Sequence, residues 1–231
     1  MADWLSLAEW QALALSLKVA FWATILSLPF GILTALALAR GRFPGRQVLN
    51  GLVHLPLILP PVVTGYLLLL TFGRKGLLGQ ALEQVGIVLA FRWTGAVLAA
   101  AIMAFPLMVR AIRIAIEAVD PRLEQAAATL GASRLAVFLT VTLPLCLPGI
   151  IAGAVLAFAK AMGEFGATIT FVANIPGQTQ TLPSAIYAFL QVPGGDASAF
   201  RLVAIAVVVA MAAVLVSEAI GQRVARRVSG R

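Results

Sequence analysis

The sequence predicts an all-α membrane protein with five transmembrane helices, its N-terminus outside and its C-terminus in the cytoplasm. Three observations carry that prediction. The 231 residues are 61% hydrophobic and only 11% charged, where soluble domains carry roughly 25% charge. Uncharged runs cover 19–39, 47–73, 93–109, 135–159 and 202–217. A helix needs roughly 17 apolar residues or more to cross a bilayer. The third run sits at that limit; the last falls just below it, and Ala219 and Ile220 extend it past Glu218. Backbone groups in lipid must pair within their own segment, so these runs are helices. Finally, eleven of the 17 basic residues fall in three segments that share one side of the membrane if there are five spans. These are Arg40, Arg42 and Arg46, then Arg110, Arg113, Arg122 and Arg134, then Arg223, Arg226, Arg227 and Arg231. The other side has acidic Asp3 and Glu9, with Arg74, Lys75, Arg92 and Arg201. The excess of Lys and Arg marks the cytoplasmic side. The surplus of +8 is therefore read as topology and not as nucleic-acid binding.

Taken in order, the expected spans are 15–39, 50–72, 93–113, 145–164 and 201–220, within one permease domain covering 1–231. The first ten residues hold no Lys or Arg, and a cleavable leader would begin with a positive region. The first span is expected to be retained. Pro29, Pro56, Pro60, Pro61 and Pro106 are each expected to kink or break a span. Trp22, Tyr66 and Trp93 are read as packing or interface aromatics. The lone cysteine, Cys146, excludes an intrachain disulfide, and its apolar neighbours predict burial.

The segment 165–200 reads as an external loop. Residues 165–195 are uncharged yet rich in Thr, Ser, Asn and Gln, with turn signals at NIPG and VPGG. A short helix is expected around 182–191; a re-entrant hairpin is the alternative. LPLILPPVV (55–63) and LPLCLPGII (143–151) echo one another, each opening an outward-running span, and chance similarity accounts for the echo.

Little points to catalysis. His54 has no second imidazole to pair with, and there is no G-x-x-x-x-G-K-[ST] loop. Lys160 and Glu164 lie four apart on one expected helix face, close enough to pair. Ionisable groups inside a span are functional candidates, although snorkelling to the interface accounts for them equally. With Pro56, Pro60, Pro61 and Thr64 they form the candidate gate or pathway; packing kinks are the plainer reading of the prolines.

The strongest local signal is EQAAATLGASRLAVFLTVTLP (124–144), inside the cytoplasmic segment 117–144. Asp120 is placed to cap a helix and Pro121 suits its first turn. Glu124 is favourable near that positive end. Leu123, Ala127 and Leu130 make one apolar stripe, Gly131 is a C′ stop, and Ser133 caps a second helix lined by Leu135, Phe138, Leu139 and Thr142. Two readings are open: a helix lying on lipid, or one that docks into a groove of a cytoplasmic protein.

The stretch resembles the EAA loop of ABC-importer permeases, whose pattern runs E-A-A, three residues, Gly, nine residues and I-x-L-P. Ala126 and Ala127 precede Gly131 at the matching distance. Nine residues separate Gly131 from Val141, and Leu143 and Pro144 follow. Gln125 stands where the pattern has Glu, with Glu124 one place earlier, and Val141 replaces Ile. The stretches 163–196, 55–69 and 104–120 all resemble molybdate-importer permeases, so the resemblance covers nearly the entire chain. Sulfate permeases share GEFGA and NIP and are the alternative. An ion-coupled secondary carrier is a weaker one, because only the Lys160–Glu164 region offers it charges.

The resemblance implies the type I ABC importer permease fold in the cytoplasmic membrane of a bacterium. It implies a second copy of the chain, two cytoplasmic ATPase subunits and an external or periplasmic molybdate-binding protein. The chain itself is expected to be non-catalytic and without a cofactor, with ATP and Mg held by the ATPase. Asp120, Glu124, Gln125, Ala126, Ala127, Gly131, Arg134, Leu143 and Pro144 would form the ATPase-coupling loop. Asn174, Gln178, Thr181 and Ser184 would be candidate contacts for the binding protein. Whether Glu124 or Gln125 faces the ATPase is left open by the sequence.

Overall fold

The computed structural model describes residues 4–228; the side chains of Ser217 and of 220–228 are outside that description. Arg231 and the side chains of Arg223, Arg226 and Arg227, which the topology argument used, thus lie outside the described set.

Helix α1 (Leu7–Arg40) starts well before the expected position 15. A capping box opens it: Ser6 Oγ accepts the Glu9 N–H, and the Glu9 carboxylate accepts the Ser6 N–H. Charge made this turn look unfit for a span, and the fold neutralises that charge. Glu9 is fully buried against Arg201 at 2.7 Å. Lys18 lies 3.6 Å from the centre of the Trp93 ring. Deeper in the helix, Thr24 and Ser27 donate to the carbonyls of Ala20 and Ala23, which removes two hydroxyls from the apolar surroundings.

The second expected span, 50–72, is corrected by the structure. It is two helices, α2 (Arg46–Ile58) and α3 (Pro61–Phe72), bent by 113°. A residue before proline is pushed out of the helical region. Leu59 and Pro60 both precede a proline, and both are extended, with ψ of 143° and 134°. Pro60 and Pro61 therefore end the helix, whereas the single prolines at 29, 56 and 106 stay inside helices.

A short α4 (Leu77–Gln84) follows, then α5 (Trp93–Glu117), the central helix. Helix α6 (Pro121–Thr129) lies outside the bundle. Helix α7 (Arg134–Val137), a π-turn (Phe138–Thr142) and α8 (Leu143–Met162) run on as one rod. Pro144 does not break this rod. Pro144 occupies the second position of α8, and the wider π-turn just before it accommodates a ring with no N–H to give.

Helices α9 (Gly166–Val172) and α10 (Leu182–Phe189) lead to α11 (Asp196–Val228). Among the described residues, four helical stretches are long and apolar enough to cross a membrane: α1, α5, Arg134–Met162 and Asp196–Val216. The bent α2–α3 pair is the fifth if counted as one span. The core joins Val19, Ala20 and Ala23 of α1 to Met108 and Ile112 of α5 and to Ile150 and Ala157 of α8. Cys146 is buried in it. Outward faces carry Phe30, Leu33, Leu70, Val208 and Leu215, as lipid contact requires.

Candidate functional site

The segment 120–144 folds as its caps direct. Asp120 accepts the Arg122 N–H at 2.9 Å, and Ser133 Oγ accepts the Ala136 N–H at 3.2 Å. Gly131, at φ +87°, closes α6 in a Schellman motif. Its N–H donates to Ala128 O, and the Ala132 N–H donates to Ala127 O. Helix α6 has no buried residue at all. The apolar stripe stands free, with Leu123 half exposed and Leu130 89% exposed, and Leu135 beside it. Gln125, Ala126 and Arg134 are exposed, and Ala127 is half-buried.

Glu124 and Gln125 are distinguished by geometry. Gln125 points to the surface. Glu124 turns inward, where its Oε1 accepts from Arg40 Nη2 at 3.3 Å and from Thr142 Oγ1 at 2.8 Å. The same Arg40 nitrogen donates to the carbonyls of Ile116 at 3.0 Å and Val119 at 2.8 Å, at the end of α5. A cation there suits the negative end of a helix. Leu143 is half-buried and Pro144 exposed at the start of α8.

The candidate gate residues gather only in part. Lys160 Nζ donates to Glu164 Oε2 at 3.0 Å, and Glu164 is buried. Glu164 lies beyond the end of α8, however, not on a shared helix face. Its second oxygen accepts the Ala167 N–H at 3.0 Å, in the first turn of α9. The break before α9 lies beside the break before α3: a Cβ placed on Gly166 would come within 2.7 Å of Pro61 Cβ. Gly65 makes the contact of α3 with α9 possible, because a Cβ there would meet Thr170 Cβ at 2.8 Å. Thr64 is buried with its hydroxyl unpartnered. Pro56 is elsewhere, in an open groove of about 840 Å³ with Trp22, Phe30 and Phe105. That groove has no charged lining residue and is almost wholly apolar apart from Ser27 and Thr94, a poor replacement for an oxyanion's water.

The segment 165–195 contains the short helix expected around 182–191, as α10 (Leu182–Phe189), but most of its polar side chains are turned inward. Helix α9 is packed in, with Ala167, Phe171 and Val172 fully buried. Thr181 and Ser184 are buried as well: their hydroxyls lie 3.3 Å apart, and Ser184 donates to Thr181 O. Asn174 is half-buried and directed at Ser184 O, and its Oδ1 is buried. Of the four candidate contacts only Gln178 is exposed. Short polar side chains close to their own backbone answered local carbonyls and amides before they could serve a surface.

Residues 27–230 match the family described as the binding-protein-dependent transport system inner membrane component. The chain belongs to this family. Within it, the chain is 59% identical over 224 residues to the molybdenum transport system permease protein ModB of Escherichia coli K12, covering 96% of this chain and 97% of that protein. It is 51% identical to the protein of the same name from Haemophilus influenzae, covering 95% and 96%. The sulfate transport system permease protein CysT of Salmonella typhimurium is 41% identical over 78% of this chain and 65% of its own length. Among solved structures, a bacterial alginate ABC transporter in complex with an alginate pentasaccharide-bound periplasmic protein superimposes with a TM-score of 0.76 at 19% identity. That match covers 96% of this chain and 81% of the other, and it shows the fold. The chain is thus an all-helical, multi-pass transport permease of the type I importer architecture.

Two ion pairs of this inner-membrane component were not read from its sequence. Glu9 and Arg201 are 192 positions apart, and Arg40 and Glu124 are 84 apart. Nothing local pairs them. The available signal was chemical: a lone acid or base at the rim of an apolar run needs a partner.

Proposed function

We propose that the chain is the membrane-spanning subunit of an ATP-binding-cassette importer that carries molybdate inward across the cytoplasmic membrane of a bacterium. The near-full-length identity to molybdenum-transport permeases carries the substrate, and the lower, partial identity to a sulfate permease makes sulfate the second reading. A second copy of the chain completes the pore. Its basic end, where Arg40, Arg46 and Arg113 gather, faces the cytoplasm.

The unburied stripe of α6 supports the rest of the assignment. Two ATPase subunits, which bind ATP and Mg, would take Leu123 and Leu130 into a groove, with Gln125 and Arg134 at its rim. Closure of the ATPases on ATP then pushes α6 and favours an outward-facing permease, and hydrolysis releases it. A partner shifts such an equilibrium only through contacts that differ between the two states.

The adjoining breaks at 59–60 and 163–165 are the gate under this reading. Bent backbone next to a buried Glu164–Lys160 pair supplies a few polar groups without a strong anion trap, and weak sites favour release. The periplasmic molybdate-binding protein docks at the opposite end, where Gln178 and the turn at 176–178 are exposed. The reading is tested by ATPase activity of the full complex in proteoliposomes. Molybdate-loaded binding protein should stimulate it and sulfate should not; equal stimulation by sulfate-loaded protein would overturn the substrate assignment.

A further inference from the structure

Helix α6 has no fully buried side chain, and only Ala127 and Glu124 are half-buried. Among the described residues, the side-chain hydrogen bonds that tie it to the bundle all run through one carboxylate. Glu124 Oε1 holds Arg40, the last residue of α1, and Thr142, the last residue of the π-turn below α8. Arg40 in turn holds the carbonyl of Ile116, in the last turn of α5, and that of Val119 just beyond it. The three helices tied here, α1, α5 and α8, are those that form the core.

Two further observations give the node more than a static role. The π-turn Phe138–Thr142 interrupts the rod Arg134–Met162, and such turns are frequent at functional sites and at helix kinks. Arg40 Nε is buried without an acceptor. A guanidinium has five donors, and here the nitrogen that makes three contacts is Nη2 alone. A shift of α6 can therefore exchange acceptors on Arg40 and need not simply strip them.

We infer that Arg40, Glu124 and Thr142 form the joint through which movement of α6 reaches α1 and the base of α8. Glu124 is a positioning residue inside the permease and not a contact for the ATPase. This rests on the reading of α6 as the ATPase-docking helix.

The test uses the complex of permease, ATPase and binding protein in proteoliposomes, with Thr142→Val, Glu124→Gln, the double variant, and Thr142→Ser as the conservative replacement. Three quantities are measured: molybdate moved per ATP hydrolysed, ATPase retained on the permease, and amide exchange of residues 122–129 in the permease alone. Thr142→Val and Glu124→Gln should each lower transport per ATP about fivefold or more, the lower end of coupling between linked sites. Both should retain the ATPase, and the double variant should be no worse than the singles, because all break one joint. Thr142→Ser should match the unsubstituted complex. Exchange in 122–129 should rise in both variants while that of 93–117 stays unchanged.

Unaltered transport per ATP would overturn the inference. So would loss of ATPase in step with transport, which would place Glu124 on the docking surface. If the unsubstituted complex moves no molybdate, the proposed function fails instead. The exchange measurement then still decides the joint, because unchanged exchange in both variants overturns it.

Discussion

Ala173 has φ +63° and ψ −170°, a region that only glycine enters freely. Buried Thr179 braces it: its hydroxyl donates to Ala173 O at 3.3 Å and accepts the Ile175 N–H at 3.1 Å. Thr179→Val should therefore destabilise the protein by about 1–3 kcal/mol, the cost of leaving such groups unsatisfied. Ala173→Gly should recover about 1 kcal/mol of strain. Thermal unfolding in detergent checks both, and an unchanged midpoint for Thr179→Val would refute the brace. The Glu9–Arg201 pair makes a larger prediction. Arg201→Met leaves a buried carboxylate without its partner and should cost about 3 kcal/mol. Adding Glu9→Gln should restore part of that loss in the same melt. At this scale the sequence was least legible. Thr181 and Ser184 looked like surface donors because composition does not say which way a hydroxyl turns, and in the fold they face each other.

Helix ends were read better than helix partners. Asp120, Gly131 and Ser133 cap as expected, because capping depends on a few neighbouring residues and their backbone angles. The bend at Leu59–Pro60 was foreseeable as a break but not as a turn of 113°, and Pro144 breaks nothing. What separates them is whether two consecutive residues each precede a proline, a distinction that a count of prolines hides. The α3–α9 contact was invisible in the sequence, since Gly65 and Ala167 are about a hundred positions apart. Gly65→Val should overpack that contact, typically by about 1–3 kcal/mol, and lower the yield of folded permease. Helix α6 makes the functional prediction of this scale. Proline cannot adopt the φ of +87° at Gly131, and Ala127→Glu puts a charge into the stripe. A chain carrying both changes should reach the membrane yet fail to retain its ATPase in a pull-down. Full retention with full transport would show that α6 is not the docking helix.

The whole molecule was legible where physics is coarse. A low charge fraction and long apolar runs gave a helical membrane protein, and four of the five expected spans appear as unbroken helices. The first span was started too late at 15 and the last too late at 201, because the charged turns at Glu9 and Asp196 were left outside before the fold showed them to be helical. The motif spacing around Gly131 led to the transport family because it fixes a cap, a helix length and a rod at once. No described residue identifies the oxyanion. Buried Glu164 is paired with Lys160 at 3.0 Å, and a pair that cancels its own charge selects no particular anion. The substrate is therefore the claim most in need of measurement. Uptake of isotopic molybdate into proteoliposomes holding the permease, its ATPase and its binding protein, with unlabelled molybdate, tungstate and sulfate in competition, addresses it directly. The account predicts that excess unlabelled molybdate abolishes labelled uptake while equal sulfate leaves it nearly intact. Sulfate competing better than molybdate would contradict it.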